Sequence, residues 1–190
     1  MRSLEDTNIL YHGSYCEVSV PDLSKGSKYR DFGKGFYLTS SYDQARRFVR
    51  LSLQKAKARG LVSPETDSGF VSTFDIRHDH IQALHVLTYE TANEDWLHCV
   101  VGHRKENTFP EVAERLSPYD VIIGKIANDD TNATITTYMS GGYGIIGSRE
   151  ADNLCIEFLM PERLEDQFCF RSAESLNCLS FRESEVIWIQ

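Results

Sequence analysis

The sequence predicts a single α+β domain, and three observations carry that prediction. Short β-branched or aromatic runs recur along the chain, amphipathic helical stretches are inserted between them, and their order shows no regular βαβ alternation of the kind a doubly wound sheet requires. A length of 190 residues with 41% hydrophobic content is enough to build one core, and neither an internal repeat nor a low-complexity linker divides it. Residues 1–190 therefore read as one domain.

Asn8 to His12 forms the first predicted strand, ended by Gly13-Ser14, and Gly35 to Thr39 the second, entered through the turn-forming Asp31-Phe32-Gly33-Lys34. An irregular loop joins them. From Asp43 the period becomes helical: Ala45, Phe48, Val49, Ser52, Leu53 and Ala56 share one face, Arg46, Arg47, Arg50, Lys57 and Arg59 fall mostly on the other, and Gly60 stops the helix. Gly69 to Ile76 and Ala83 to Tyr89 have strand composition, and Asn93 caps a helix that runs through Trp96, Leu97, Val100 and Val101 to Arg104. The stretch broken by Pro110 and Pro118 reads as loop. Asp120 to Ala127 reads as a buried strand, Asn128-Asp129-Asp130 as an N-cap for a helix over Thr131 to Met139, and Glu150 to Leu159 as a helix ended by Pro161. The tail supplies a strand at Phe168 to Phe170, a short helix from Ser172, and closing strand material at Leu179, Phe181 and Val186 to Ile189.

Composition narrows the class. The 28 acidic residues against 20 Lys plus Arg give a net charge of −8, which argues against broad electrostatic binding of nucleic acid and favours a protein or small-molecule partner. Cys16, Cys99, Cys155, Cys169 and Cys178 are odd in number and include no CxxC pair, so neither a disulfide framework nor a structural zinc site is expected. The chain reads as reduced and cytoplasmic. Met1 to Asn8 is polar, and no apolar run approaches a membrane span, so neither an export signal nor membrane contact is expected. Asn132-Ala133-Thr134 fits a glycosylation acceptor, a chance match in such a chain.

Three segments concentrate polar and aromatic residues of chemical interest: Leu10-Tyr11-His12-Gly13-Ser14, Asp31-Phe32-Gly33-Lys34-Gly35-Phe36-Tyr37-Leu38-Thr39, and Glu165-Asp166-Gln167-Phe168-Cys169-Phe170. Singly each reads as structural: a His or Tyr at a strand end, a Gly-Lys-Gly turn, an aromatic on an apolar helix face. In combination the His-Gly-Ser run, the Gly-x-Gly-aromatic-Tyr-x-Thr strand and the following helix resemble the donor loop of the His-type, diphtheria-toxin-like branch of the ADP-ribosyltransferases, which includes the poly-ADP-ribose polymerases. More narrowly, these runs together with Pro21-Asp22-Leu23, Gln44-Ala45, Asp120-Val121-Ile122-Ile123-Gly124, Ala127-Asn128-Asp129 and Gln167-x-Cys169-Phe170 look like a little-characterised bacterial family of that superfamily. Some of its members sit beside small partner proteins in toxin–antitoxin-like gene arrangements. The resemblance implies a split, strongly bent β-sheet with surrounding helices, NAD as co-substrate, no metal, and a toxin or defence role with a small antitoxin-like partner.

It also implies residue roles. His12, Tyr37 and Gln167 become the catalytic set, and His12, Gly13, Ser14, Gly35, Phe36, Tyr37, Thr39 and Phe48 the NAD-binding set. Breaking the bond to nicotinamide generates oxocarbenium character at the ribose carbon, as in glycoside hydrolysis. A neutral His12 imidazole offers one donor and one acceptor to ribose hydroxyls, and Gly13 lets a carboxamide pair with backbone N–H and C=O. Tyr37 stacks on the cationic nicotinamide ring, with Phe48 as the second wall. Gln167 stands where transferases of the family often place Glu; it can hydrogen-bond but not act as a base. Glu165, two residues earlier on the same strand face, is the alternative carboxylate should the register shift.

The expected function is thus mono-ADP-ribosylation of a macromolecular acceptor, protein favoured over nucleic acid, with NAD glycohydrolysis or a catalytically inactive NAD or ADP-ribose-binding regulatory module as alternatives. Gly142-Tyr143-Gly144-Ile145-Ile146-Gly147 satisfies GxGxxG, but too little chain follows for a Rossmann half, and it reads as a mobile loop facing the substrate. His78, His80 and His85 have a spacing open to a metal, yet read as a polar turn between strands. Cys99 beside His98 makes no nucleophile pair, because adjacent helical residues point apart. The helix cluster of Arg46, Arg47, Arg50, Lys55, Lys57 and Arg59 reads as a solvated face that could attract the NAD pyrophosphate or an anionic target.

Overall fold

In the computed structural model, which describes residues 3–126, 129–160 and 164–189, the chain forms a mixed α+β fold around two β-sheets. Strands β1 (Ile9–Ser14), β3 (Ser68–Ile76) and β7 (Leu179–Trp188) make an antiparallel sheet in the order β1-β3-β7. Strands β2 (Phe36–Leu38), β6 (Asp166–Phe170), β5 (Val121–Lys125) and β4 (Val86–Thr88) make the second, antiparallel except for the β4–β5 pair. A double backbone bridge between Tyr11 and Thr39, with N···O distances of 2.8 and 3.0 Å, ties the two sheets together.

Helix α1 (Tyr42–Ala58) follows β2, α2 (Glu94–Arg104) and α3 (Pro110–Leu116) lie between β4 and β5, α4 (Asp129–Met139) and α5 (Arg149–Leu159) between β5 and β6, and α6 (Ala173–Leu176) between β6 and β7. The period-two alternation of the strands divides the core. Leu10, Phe36, Phe74, Ile123, Phe168 and Phe170 fill the wedge between the sheets. The opposite face of β5 and β6, with Ile122 and Cys169, packs on Trp96, Leu97 and Val100 of α2 and on Tyr138 and Cys155. Helix α1 covers β1 and β3 through Ala45 and Val49 against Val71.

Local chemistry explains most boundaries. Ser41 caps α1 by accepting from Gln44 N–H, and Gly60, with φ of 68°, ends it while Leu61 N–H bonds to Ala56 and Gly60 N–H to Lys57. Asn93, Ser148 and Ser172 cap α2, α5 and α6.

Several expectations are corrected. Gly13 and Ser14 continue β1 because both remain in register with β3. The Pro110 to Pro118 loop contains α3, since a proline at the first helical position gives up an N–H that would be unpaired anyway. The three-histidine turn is a 3-10 helix, His78–Ala83, which shortens the following strand to Val86–Thr88. The scattered closing strand pieces are one strand, β7, with a register shift opposite Thr73 and Phe74. The Ala127-Asn128 part of the expected motif and cap, and the Pro161 stop, lie outside the described residues.

All five cysteines are free, and burial pushes the thiols of Cys99, Cys155 and Cys169 up to about 12. Among the described residues no helix is long and apolar enough to cross a membrane.

Candidate functional site

The site is built on the edge of β1 that faces away from β3. Asn8 accepts from Ile76 N–H of β3, whereas Tyr11 N–H and C=O bond to Thr39, so the backbone groups of alternate residues face opposite edges. By that alternation Gly13 aims its N–H and C=O where Tyr11 does, beyond the point at which β2 turns away. Among the described residues no bond from outside the sheet reaches them. A donor and an acceptor side by side suit a carboxamide, and Gly13 itself is buried where α1 lies on β1.

The missing side chain of Gly13 has a different reason from the one expected. A Cβ there would stand 2.0 Å from the carbonyl oxygen of Ala45, so the glycine lets α1 lie directly on β1. Gly35 is constrained in the same way, by Cys169 Sγ at 2.4 Å and the Phe170 carbonyl at 2.8 Å.

His12 is half-buried, its ring 4.6 Å from that of Phe36 and tilted 34° to it. Its Nδ1–H donates to the Tyr37 carbonyl at 2.8 Å, which fixes the tautomer and leaves Nε2 as an acceptor. Burial lowers its proton affinity despite the opposing bond to Tyr37, and Arg30 lowers it further, so the ring is neutral at pH 7.

Tyr37 is also half-buried, but its hydroxyl is tied back into the preceding turn: it donates to Gly33 C=O at 2.7 Å and accepts from Phe32 N–H at 3.0 Å. Burial, with Cys169 and Asp31 nearby, raises its pKa well above the usual phenol value. Tyr37 thus acts as a strut under the Asp31–Gly35 turn whatever its ring meets. Phe48 lies half-buried on α1 and already has a cation over its face, the Arg30 guanidinium 5.9 Å from the ring centroid.

Gln167 lies on the face of β6 shared with Cys169, whose register partner is Tyr37. It is 5% exposed, and its amide nitrogen donates to Asp31 Oδ2 at 2.7 Å and to Lys125 C=O at 3.2 Å, leaving only Oε1 for another partner. Asp31 Oδ1 accepts from Arg104 Nε and Nη2 at 2.9 and 2.6 Å. This buried Asp31–Arg104–Gln167 cluster holds the turn above β6. Neither Asp31 as its anchor nor Arg104 stands out in the sequence, since they meet across 73 residues of chain.

Glu165 continues the β5–β6 ladder, with Ile126 N–H bonding to its carbonyl at 2.8 Å. Its carboxylate accepts from Ser41 Oγ at 3.0 Å and from Arg47 Nη2 at 2.5 Å, and its side chain is 34% exposed. Of the two acidic or amide candidates on this strand, Glu165 is the one reachable from solvent.

The remaining predicted residues surround β1 and β2 but are largely engaged. Thr39 Oγ1 donates to Gln44 Oε1 at 2.7 Å and accepts from Ser41 N–H. Ser14 is buried beside Cys16, and Phe36 is part of the wedge core. Two surface hollows open elsewhere, one of about 470 Å³ lined by Tyr11, Tyr42, Thr73, Arg182 and Glu185, another of about 390 Å³ lined by Leu23, Lys34, Tyr119 and Arg171. The three histidines of the 3-10 helix region diverge, His78 to Asn8, His80 beside Asp79 and His85 beside Asp120. The GxGxxG run forms turns with positive φ at Gly144 and Gly147 leading into α5.

Residues 8–181 match the family described as "Protein of unknown function (DUF3990)". The chain belongs to this family. The match spans His12, Tyr37 and Gln167 and ends inside β7, so the whole site lies within the DUF3990 domain. Among curated proteins none matches the sequence.

Proposed function

We propose that this DUF3990 chain is an NAD-dependent mono-ADP-ribosyltransferase whose donor site lies along the edge of β1 that faces away from β3. The observation that carries the reading is the N–H and C=O of Gly13, buried but without a hydrogen-bond partner among the described residues, next to a His12 ring locked as a neutral acceptor, with the aromatic rings of Tyr37 and Phe48 following on β2 and α1. The nicotinamide carboxamide pairs with Gly13, and its cationic ring lies against aromatic faces. The guanidinium of Arg30 over Phe48 is the stand-in that supports this fit, because the ring already holds a planar cation. Arg30 leaves that position when NAD enters, and its charge is then placed to meet the pyrophosphate.

His12 Nε2 accepts from a ribose hydroxyl and orients the sugar. The C–N bond to nicotinamide breaks with its electron pair leaving on the ring nitrogen, which becomes neutral, and the acceptor's nucleophile adds to the ribose carbon as it gives up a proton. Gln167 Oε1 can receive a hydroxyl but not that proton. Glu165, half-exposed just before β6, is the carboxylate that takes it once Arg47 and Ser41 release it. The full engagement of the Gln167 amide nitrogen favours a second reading, NAD hydrolysis or NAD binding without transfer. A toxin or defence role with a small partner rests on the family resemblance alone.

Nicotinamide release from NAD, measured with and without cell lysate, tests these readings. Lysate-dependent release, abolished in His12→Ala, supports transfer; lysate-independent release means hydrolysis; no release in either condition ends both enzyme readings.

A further inference from the structure

We propose a second site, unrelated to the donor site, in which Glu94 and His98 of α2 and Asp152 of α5 bind one divalent transition-metal ion of the Zn²⁺ class. One ligand atom from each of the three lies within 4.8 Å of the other two. Glu94 and His98 are four residues apart on α2 and so project from the same helical face, while Asp152 approaches from the facing helix. A set of one imidazole and two carboxylates suits a borderline ion better than Ca²⁺ or Mg²⁺, which favour all-oxygen shells, and three protein donors leave a position for water.

Charge is the second reason. The Asp152 carboxylate is 1% exposed, and among the described residues the only ion-pair partner found for it is His98 Nε2 at 2.8 Å. The Glu94 carboxylate stands within the same 4.8 Å, so two carboxylates gather at one imidazole. A divalent ion removes that imbalance.

The surroundings are already arranged as an outer shell. Tyr138 donates its hydroxyl proton to Asp152 Oδ1 and accepts from Gly147 N–H at 2.8 Å, which turns Oδ2 toward His98. His98 is held flat against Phe109, ring centroids 4.1 Å apart at 22°, and keeps 19% exposure, enough for an ion to enter. Outer groups that fix ligand orientation in this way are a recurring part of metal sites. On binding, the ion takes the place of the proton shared by Nε2 and Oδ2: Nε2 loses its proton, and Nδ1 carries one from solvent, so the imidazole stays neutral. The pattern escapes the sequence because its third member lies on a different helix.

The full chain, treated with EDTA and dialysed, is titrated with Zn²⁺ by calorimetry and with Co²⁺ by visible absorption. The expected result is one ion per chain, the intense d–d absorption of tetrahedral Co²⁺ without a sulfur charge-transfer band, and a thermal midpoint raised by about 5–10 °C at a hundredfold excess over Kd. Glu94 is exposed, so Glu94→Gln leaves the fold intact and should weaken binding by about tenfold or more. His98→Ala should abolish it. Absence of one-to-one binding, affinity unchanged in both variants, or a thiolate-to-Co²⁺ band marking a cysteine site would each overturn the proposal.

Discussion

The two ends of the candidate donor site are held by different physics. At the His12 end, backbone does the positioning: strand alternation frees the Gly13 edge, the Tyr37 carbonyl fixes His12, and Gly13 lets α1 touch β1. At the Gln167 end, side chains do it, through the buried Asp31–Arg104 ion pair and the Gln167 amide beneath it. A site supported by backbone keeps its geometry through most side-chain changes, whereas one supported by a buried charge cluster fails when a single member is removed.

The largest expected effect is therefore at the Gln167 end. Arg104→Ala leaves Asp31 in a buried environment without its guanidinium, and should lower unfolding stability by about 3–5 kcal/mol in urea melts. The counterpart at the other end is Gly13→Ala, where the new methyl meets the Ala45 carbonyl, a rigid backbone atom; a loss of about 3 kcal/mol is expected. If Arg104→Ala proves milder than Gly13→Ala, the charge cluster is not what holds its end.

Gln167→Glu sharpens the same contrast. If Gln167 were merely a catalytic Glu that lost its charge, restoring the carboxylate should raise nicotinamide release. The geometry expects otherwise: a carboxylate replaces an amide donor that now lies 2.7 Å from Asp31 Oδ2, so two like charges face each other. At pH 7 the variant should lose about 2 kcal/mol. The new carboxyl holds its proton more tightly folded than unfolded, so the loss grows as pH rises above about 4.3 and disappears in acid below it. Melts at pH 4 and pH 7 compare the two.

The same division governs what the sequence reveals. Strands β1, β2 and β6 and helix α1 are legible because hydrophobic period and caps are local, and Asn93 and Ser172 mark helix starts within a few residues. His12 and Tyr37 are legible as site candidates for the same reason, being short motifs on local elements. What Gln167 does is not, because its partner Asp31 is 136 residues away and nothing in either segment announces the other. The reason for Gly13 is hidden likewise: a glycine reads the same whether a ligand or a helix needs the space. Helix α3 was masked by Pro110, which signals a break inside a helix but is welcome at its start.

Tyr37→Phe separates the ring from its hydroxyl. It removes the bonds to Gly33 C=O and Phe32 N–H, which carry the Asp31–Gly35 turn, and leaves the aromatic face. A stability loss of about 1–2 kcal/mol is expected, with nicotinamide release, where present, largely retained. Loss of release with no loss of stability would assign the hydroxyl to chemistry and undo the strut.

The smallest effect expected lies at the His12 end and is read through pH. Burial holds the folded-state pKa of His12 below its unfolded value of about 6.5, so the unfolded chain takes up a proton first as the solution is acidified. The stability this neutral ring contributes is complete above that value and declines as pH falls below it. His103 is shifted in the same direction by burial and adds to the same limb, so the slope below about pH 6.5 belongs to both. His12→Asn removes one titrating ring while keeping a donor for the Tyr37 carbonyl, and should flatten that slope without changing the fold. An unchanged slope in His12→Asn, with the whole limb lost in His103→Asn, would mean that the His12 ring is effectively solvated. Its neutrality at pH 7 would then be incidental, and the backbone-held end of the site would lose the fixed acceptor on which its chemistry depends.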